Sequence, residues 1–326
     1  MNMSMTEIRH VPVLLNETVQ GLRLQSGDIV VDGTLGSGGH SLALLKCILP
    51  NGVLIALDTD VKALERFSNR SEYHEAVQKI QEQGVLRMVH ANYSTLSSML
   101  EDTEKGFVSG ILVDLGFSSD QMDTADRGMS FSQDGLLDMR LDQDSQALTA
   151  AHVVNEYSET KLVQVLQEYG EEKYARAIAK AIIRARTYAA IQTTKELAEI
   201  IAQAIPKKYS SKLKIHPATK SFQAIRIEVN QELEHLRQFL PQAIDALRKG
   251  GRLAVITFHS GEDRIVKSFF QENARGCICP KEFPLCRCYQ TPKIKKVTSK
   301  PIVPSQEEIA INPRSRSAKL RIIEKC

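Results

Sequence analysis

Short apolar runs alternate with amphipathic segments along much of the chain. Continuous apolar runs predict buried strands, and apolar residues every three or four positions predict helices. The predicted strands cover residues 29–32, 52–58, 84–89, 108–115 and 250–258. Because each of the early strands is followed by a helical pattern, the chain favours an α/β fold with a parallel, doubly wound sheet.

The interval between the fourth and fifth predicted strands is far longer than one crossover requires. More than a hundred residues separate Leu115 from Arg252, whereas a crossover takes roughly a dozen or more. Apolar spacing over 171–186 and a capping box of Thr193 with Glu196 predict helices there. We therefore expect an inserted all-helical domain at 126–215, between two parts of the sheet domain at 1–125 and 216–326.

A glycine-rich turn joins the first predicted strand to the first helix of the sheet. Its sequence, VDGTLGSGGHS at 31–41, lets a ligand approach bare backbone. A P-loop would require Lys and Ser or Thr where Gly39 and His40 stand, and a dinucleotide fingerprint would require glycine where Ser41 stands. Triphosphate binding is therefore disfavoured and dinucleotide binding weakened. S-adenosylmethionine and a packing turn without a ligand remain open.

An acidic residue closes the second predicted strand. Asp58 follows Gly36 by 22 residues and can accept hydrogen bonds from both ribose hydroxyls of a nucleoside ligand. This spacing suits S-adenosylmethionine and NAD equally, so it does not distinguish them.

Composition and charge narrow the classes of protein only slightly. The 326 residues carry a net charge of +3, so a nucleic-acid partner would need local basic patches. The first ten residues contain no apolar segment typical of a signal peptide, and no apolar run is long enough to span a membrane. We expect a cytoplasmic protein without membrane association. The segment 287–306 has five basic residues and no acidic one, which predicts an extended or loosely ordered basic tail.

Four of the six cysteines fall within twelve residues, at Cys277, Cys279, Cys286 and Cys288. Four thiolates can bind zinc, but the usual spacing is C-x₂₋₄-C, and here both pairs are C-x-C. The pattern favours reduced thiols on a surface loop, and no metal is expected.

Basic residues concentrate in the predicted insertion and just after it. Within one short stretch without acidic residues lie Lys207, Lys208, Lys212, Lys214 and Lys220. Such a run is either a solvated surface or a set of phosphate contacts. The lysines are candidates for RNA binding.

Seven blocks of sequence, in order from about residue 10 to residue 321, resemble the MraW family. They are HVPVLLNE (10–17), DGTLGSGGHS (32–41), VDLGFSSDQMDTADRGMSF (113–131), DMRLD (138–142), HPATKSFQAIRIEVNQEL (216–233), GGRLAVITFHSGEDRIVK (250–267) and NPRSRSAKLR (312–321). The resemblance implies a Rossmann-like methyltransferase sheet with an inserted helical domain. It also implies transfer of a methyl group from S-adenosylmethionine to the N4 amine of a cytosine in the decoding region of 16S ribosomal RNA.

The resemblance also assigns residues to the cofactor and leaves the catalytic group open. The positions implied for S-adenosylmethionine are Gly38, Gly39, His40, Asp58, Tyr93, Asp114 and Gln121. Many amino-methyltransferases carry an Asp/Asn-Pro-Pro-aromatic tetrad after the fourth strand, but residues 114–117 here read D-L-G-F. The candidates for the proton acceptor are Asp138, Asn230 and His259, and Arg140 is a candidate for gripping a phosphate or the base carbonyl.

Three functions remain to be compared. The first is an RNA methyltransferase acting on 16S ribosomal RNA or the small ribosomal subunit. The second is a methyltransferase acting on protein or a small molecule, and the third is a non-catalytic protein that binds S-adenosylmethionine or NAD. The sequence leaves open whether the chain forms a homodimer.

Overall fold

The computed structural model describes residues 12–69, 74–117, 121–122, 124–210, 215–277, 279, 287–288 and 290–326. It divides the chain into two compact units. The first unit comprises Met1–Gly116 and Leu233–Cys326, and the second comprises Phe117–Glu232. The second unit thus interrupts the first along the chain.

The first unit is built on a seven-stranded sheet. Its strands are β1 (Ile29–Asp32), β2 (Val53–Asp58), β3 (Leu86–His90), β4 (Val108–Asp114), β5 (Leu247–Thr257), β6 (Ile294–Lys296) and β7 (Lys319–Lys325). The strand order is β3-β2-β1-β4-β5-β7-β6. The first five strands pair in parallel, whereas β7 is antiparallel to both β5 and β6. The doubly wound α/β prediction is therefore confirmed for the five strands read from the sequence.

Helices of the first unit connect these strands. They are α1 (Leu15–Leu22), α2 (Gly39–Ile48), α3 (Val61–Ser68), α4 (His74–Glu82), α5 (Leu96–Met99), α12 (Glu232–Ala246, whose first residue belongs to the second unit), α13 (Ser260–Asn273) and α14 (Gln306–Ile311). Helix α12 continues through Pro241. Among the described residues, no helix combines the length and the apolar character that crossing a membrane requires.

The second unit is helical. Its helices are α6 (Ala150–Glu156), α7 (Glu159–Glu168), α8 (Ala175–Arg186), α9 (Thr194–Ala204), α10 (Lys207–Ser210) and α11 (Thr219–Asn230). The predicted capping box opens α9, where the Thr193 and Glu196 side chains each bond to the other residue's backbone. The unit ends at Glu232 rather than at residue 215, because α11 buries Phe222 and Ile225 in the helical core.

The segment 287–306, predicted to be extended or loosely ordered, contains an ordered, extended strand. Within that segment β6 forms and pairs with β7, and β7 lies between β5 and β6. The basic residues Lys319 and Arg321 of β7 both pair with Asp263 of α13, at 3.2 and 2.7 Å. The alternating pattern of β7 places Leu320 and Ile322 in the core, which stabilises an ordered strand.

Candidate functional site

Three aspartates stand at the last position of three neighbouring parallel strands. Asp32 ends β1, Asp58 ends β2 and Asp114 ends β4, and these strands are adjacent in the order β2-β1-β4. Because parallel strands end at the same edge, the three carboxyl groups mark one edge of the sheet. This is the edge at which open α/β sheets bind ligands, so it is the candidate site of the first unit.

The glycine turn between β1 and α2 is held closely against its neighbours. Gly38 adopts a φ of 78°, in the left-handed region, and is the N-cap of α2. A Cβ atom on Gly38 would lie 2.0 Å from the ring of Phe67. A larger residue there would therefore meet both backbone strain and a clash. The next glycine, Gly39, is the first residue of α2, so the turn presents a helix N-terminus at the site.

Asp58 fastens this turn to the end of β2. Its Oδ2 accepts a hydrogen bond from the Gly36 backbone N–H at 2.7 Å, and its Oδ1 accepts one from the Asp60 N–H at 2.8 Å. Each carboxylate oxygen keeps a second lone pair, so the group can still accept ribose hydroxyls. Burial raises the pKa of Asp58, while the two backbone hydrogen bonds act in the opposite direction.

Asp32 is a functional candidate that sequence reasoning missed. Its fully buried carboxyl accepts hydrogen bonds from the Ser41 hydroxyl at 2.6 Å and the Thr34 N–H at 3.1 Å. Desolvation by burial raises the pKa of Asp32 to about 7. Its position could have identified it, since Asp32 is the last residue of β1 just as Asp58 is the last residue of β2.

Asp114 faces His40 across the same edge. His40 Nδ1 lies 3.6 Å from Asp114 Oδ2, and His40 Nε2 lies 3.1 Å from the carbonyl oxygen of Val13. Asp114 Oδ1 is buried without a hydrogen-bond partner among the described residues. Burial, and then the charges of Asp32 and Glu262, raise the pKa of Asp114 well above its ordinary value. The histidine is the second residue of α2 and does not cap that helix.

The remaining cofactor candidates, Tyr93 and Gln121, lie in different units. Tyr93 begins a short 3₁₀ helix after β3, and its ring packs edge-on against Phe239 with centroids 5.3 Å apart. It therefore contributes to the core of the first unit as well as being a candidate for stacking on adenine. Gln121 is buried in the second unit. Its contribution to binding of the cofactor stays a prediction.

Two of the three proton-acceptor candidates belong to one hydrogen-bonded cluster in the second unit. The Asp138 carboxylate accepts from Arg140 Nε at 2.9 Å and Arg140 Nη2 at 2.7 Å. Hydrogen bonds from Arg140 outweigh desolvation and lower the pKa of Asp138. Buried Asn230 accepts from the Leu141 N–H and donates to the carbonyl oxygens of Met139 and Arg226.

The hydrogen bonds of this cluster stabilise an unusual backbone turn in the second unit. Met139 has a φ of 61°, a conformation that side chains rarely adopt. Asn230 bonds to Met139 itself and to Leu141, and Arg140 also donates to the carbonyl oxygens of Gln143 and Gln146. The three polar side chains thus stabilise the 138–146 segment, and the catalytic and phosphate roles of Asp138, Asn230 and Arg140 stay predictions.

His259, the third acceptor candidate, caps helix α13 in the first unit. Its Nδ1 accepts from the Glu262 N–H at 3.4 Å, and Glu262 Oε2 in return accepts from the His259 N–H at 3.2 Å. Its Nε2 also lies 3.1 Å from Glu262 Oε1. The histidine is therefore engaged in a capping box, which sequence reasoning had not recognised because the N-cap is a histidine rather than serine or threonine.

The predicted RNA-binding lysines fall on the second unit where the structure describes them. Lys207 and Lys208 are exposed on α10, and Lys220 reaches the carbonyl oxygen of Glu171 at 3.4 Å. Lys212 and Lys214 lie outside the described residues. Exposure of the first pair is compatible with phosphate contacts, so RNA binding stays a prediction for the whole run.

The cysteine cluster is described in part. Cys277, Cys279 and Cys288 place their sulfur atoms within 4.8 Å of one another. Cys286 lies outside the described residues. The three sulfurs are closer together than scattered surface thiols would be, and they form no disulfide.

Comparison of the sequence with known protein families identifies the family of this chain. The model of the MraW methylase family matches residues 7–326. The chain belongs to the MraW methylase family. That membership confirms the resemblance found in the sequence blocks, and the family's methyl donor, S-adenosylmethionine, is confirmed as the cofactor.

Curated relatives of this MraW methylase resemble it over almost their whole length. A ribosomal RNA small subunit methyltransferase H from Clostridium botulinum (strain Kyoto / Type A2) is 46% identical over 319 residues, covering 98% of this chain and 99% of the relative. Proteins of the same name from Heliobacterium mobile and Clostridioides difficile are each 44% identical over 320 residues, with the same coverage of both chains.

The electrostatics of the sheet edge fit the methylase cofactor. S-adenosylmethionine carries a sulfonium and an ammonium group, whereas NAD carries an anionic pyrophosphate. Four carboxyl groups surround the edge, from Asp32, Asp58, Asp114 and Glu262, and no lysine or arginine replaces the missing P-loop lysine in the glycine turn. Carboxyl groups at this edge attract the cationic cofactor and repel a pyrophosphate when they are ionised. Because burial raises the pKa values of Asp32, Asp58 and Asp114, this attraction strengthens as the pH rises. Asp58 would hold the ribose, and the backbone of Gly38 and Gly39 would line the methionine end.

Replacing Asp58 by alanine should weaken binding of S-adenosylmethionine by about 1.5–3 kcal/mol, the range for hydrogen bonds that involve a charged group. Isothermal calorimetry measures this effect, and NAD serves as a second titrant that should not bind. Since Asp58 also holds the Gly36 N–H, the melting temperature of the variant must be recorded to separate local loosening from lost contacts. An unchanged dissociation constant, or tight binding of NAD, would contradict the assignment.

Proposed function

We propose that the chain transfers the methyl group of S-adenosylmethionine to the N4 amine of a specific cytosine in the decoding region of 16S ribosomal RNA. The proposal is supported by curated relatives, which are named as methyltransferases of the small-subunit ribosomal RNA. The work of such an enzyme would take place in the cytoplasm. Its partner would be 16S ribosomal RNA or the small ribosomal subunit.

One observation carries the chemistry of this proposal: the unpartnered Oδ1 of Asp114. A buried polar atom without a partner is rare and requires an explanation. Asp138 binds Arg140 and Asn230 binds backbone groups. His259 uses Nδ1 in its helix cap, and its buried Nε2, 3.1 Å from Glu262 Oε1, also makes no hydrogen bond among the described residues, so the strand-end position of Asp114 distinguishes the two. Asp114 also occupies the first position of the D-L-G-F segment, where other amino-methyltransferases carry the acidic or amide residue of their tetrad.

Asp114 would activate the target amine. The lone pair of the exocyclic amine is delocalised into the cytosine ring, so the amine is a poor nucleophile. A hydrogen bond from this amine to Asp114 Oδ1 would favour localisation of the lone pair on nitrogen. When the N–C bond forms, the amine becomes cationic, and the carboxylate stabilises that charge and accepts the proton. When bound, S-adenosylmethionine would supply an electrophilic methyl group, whose bond to the sulfonium sulfur breaks as the N–C bond forms and leaves a neutral thioether.

Methylation at C5 of cytosine is the main alternative, and it would require a cysteine nucleophile. Cys47 lies within helix α2, and Cys277, Cys279 and Cys288 lie after the end of α13. Cys326 follows the last strand. None of these described cysteines ends a parallel strand at the acidic edge, so their positions favour attack by the amine.

The RNA would be held by the helical unit. Its exposed basic residues include Lys207 and Lys208, together with Arg176, Lys180 and Arg184 on one flank of α8. Several phosphate contacts add up to a salt-dependent affinity. Because the amine must reach the sulfonium methyl, the target cytosine should be unpaired or turned out of its stack.

The position of the transferred methyl group tests the proposed function. Ribosomal RNA from cells lacking this protein would be incubated with the enzyme and isotopically labelled cofactor, digested to nucleosides and analysed by mass spectrometry. We expect the label on N4 of one cytidine, carrying one methyl group, and its loss in the Asp58→Ala variant. Label on C5, on ribose or on protein would overturn the proposal.

A further inference from the structure

Backbone hydrogen bonds hold the two ends of the segment between helix α13 and strand β6 close together. The Lys293 N–H donates to the carbonyl oxygen of Asn273, the last residue of α13, at 2.9 Å. The Cys326 N–H donates to the Lys293 carbonyl oxygen at 3.0 Å. The connection from Asn273 to Lys293, about twenty residues long, therefore begins and ends at nearly the same point, and connections of this length are usually functional.

Three cysteines of this loop converge on one point. The sulfur atoms of Cys277, Cys279 and Cys288 all lie within 4.8 Å of one another, and those of Cys277 and Cys288 are 3.7 Å apart. A tetrahedral zinc ion with bonds of about 2.3 Å holds its sulfur ligands about 3.8 Å apart. The separation of Cys277 and Cys288 is close to this value, and the other two sulfur–sulfur distances do not exceed 4.8 Å.

The same distances disfavour two other uses of the thiols. A disulfide bond is about 2.05 Å long, so the 3.7 Å separation of Cys277 and Cys288 is that of two unbonded sulfurs. In a [4Fe–4S] cluster each cysteine binds a different iron atom, which keeps the thiolates farther apart than ligands of a single ion.

Backbone N–H groups point to two of these sulfur atoms. The Cys279 N–H points to the sulfur of Cys277 at 3.4 Å, and the Arg287 N–H points to the sulfur of Cys279 at 3.3 Å. Such interactions orient metal ligands around an ion.

We propose that Cys277, Cys279 and Cys288 bind one zinc ion that closes the loop between α13 and β6. Each thiol loses its proton on binding. The ion would cross-link Cys277 and Cys279 to Cys288, so its role is structural and independent of methyl transfer. Cys286 lies outside the described residues, and the three described ligands carry the proposal.

Metal content of the full-length protein tests the proposal. The chain would be produced with zinc supplied, purified under reducing conditions without chelators, and analysed by inductively coupled plasma mass spectrometry. We expect about one zinc per chain in the wild type and less than about a tenth in the Cys277→Ser/Cys288→Ser variant. The matched control, Cys47→Ser/Cys326→Ser, removes two cysteines outside the cluster and should keep its zinc.

A second measurement guards against misfolding of the double variant. Addition of Co²⁺ to metal-free wild-type protein should produce the thiolate-to-cobalt absorption of a tetrahedral site, and zinc should displace it. Wild-type protein without zinc after reconstitution, equal zinc in the cluster variant and the control, or a Cys277–Cys288 disulfide in protein isolated with its thiols blocked would each overturn the proposal.

Discussion

Replacement of Asp114 by asparagine is expected to lower the rate of methyl transfer at saturating cofactor by roughly 10²- to 10⁴-fold, the range for loss of general acid–base assistance. Asparagine keeps the size of the side chain but can neither accept the proton of the amine nor stabilise its developing positive charge. The measurement is a single-turnover assay with ribosomal RNA and labelled S-adenosylmethionine. Calorimetry of the same variant separates loss of rate from loss of cofactor affinity.

The wild-type enzyme should also show a characteristic dependence on pH. The pKa of Asp114 is raised, first by burial and then by Asp32 and Glu262, so the carboxyl is increasingly protonated as the pH falls. A protonated carboxyl cannot accept the amine proton. The rate should therefore rise with pH through the pKa of Asp114, and this part of the profile should disappear in Asp114→Asn.

A matched control distinguishes a local effect from a general effect of removing an acid. Asp102 lies in the same unit and is exposed, with its carboxylate paired to Lys105 at 2.8 Å. Asp102→Asn should leave rate and pH profile unchanged. If Asp114→Asn retains a rate within about tenfold of the wild type, Asp114 is not the proton acceptor.

The second prediction with a large expected effect concerns the stability of the folded protein rather than the rate of methyl transfer. Asp32→Asn should increase the free energy of unfolding of the ligand-free protein at pH 8 by up to about 4 kcal/mol. This figure follows because burial raises the pKa of Asp32 from 3.8 to about 7, and each tenfold change in an ionisation constant corresponds to about 1.4 kcal/mol. Asparagine can still accept from the Thr34 N–H and donate to the Ser41 hydroxyl.

The sign of this effect follows from proton linkage. Between about pH 4 and pH 7 the folded protein binds the Asp32 proton while the unfolded chain has lost it. Stability of the wild type therefore falls as the pH rises through this range. Denaturant unfolding of the wild type and of Asp32→Asn at pH 5, 6, 7 and 8 should give curves that diverge with increasing pH. A parallel pair of curves would contradict the buried, protonated state of Asp32.

Much of the sheet could be predicted because its signals are local. Buried parallel strands are continuous apolar runs, and all five were recognised in the sequence to within a few residues. Strand β7 was not recognised, because in KLRIIEK basic and acidic residues interrupt the apolar positions. Its partners β5 and β6 lie far away in the sequence, so its pairing depends on contacts that no local pattern records.

The boundaries of the inserted unit also depend on tertiary packing and could not be predicted from local sequence. Helix α11 was recognisable as part of a family block, but its apolar face could have packed on either unit. Phe222 and Ile225 enter the helical core, which moves the second boundary from residue 215 to Glu232. Amphipathic spacing indicates that a helix buries one face and not which surface covers it.

Sequence alone determined the fold class, the family and the acid at the end of β2, because each depends on residues close together in the chain or on blocks in a set order. The tertiary structure decided which polar groups have partners. It engaged Asp138, Asn230 and Nδ1 of His259 in local hydrogen bonds, and it left Asp114 Oδ1 and His259 Nε2 buried without a hydrogen-bond partner among the described residues. It also brought Asp32 beneath the glycine turn and three cysteine sulfurs together. Whether a side chain is buried, and which side chains meet, depends on contacts between residues that are distant in the sequence. Both are therefore decided only when the chain folds.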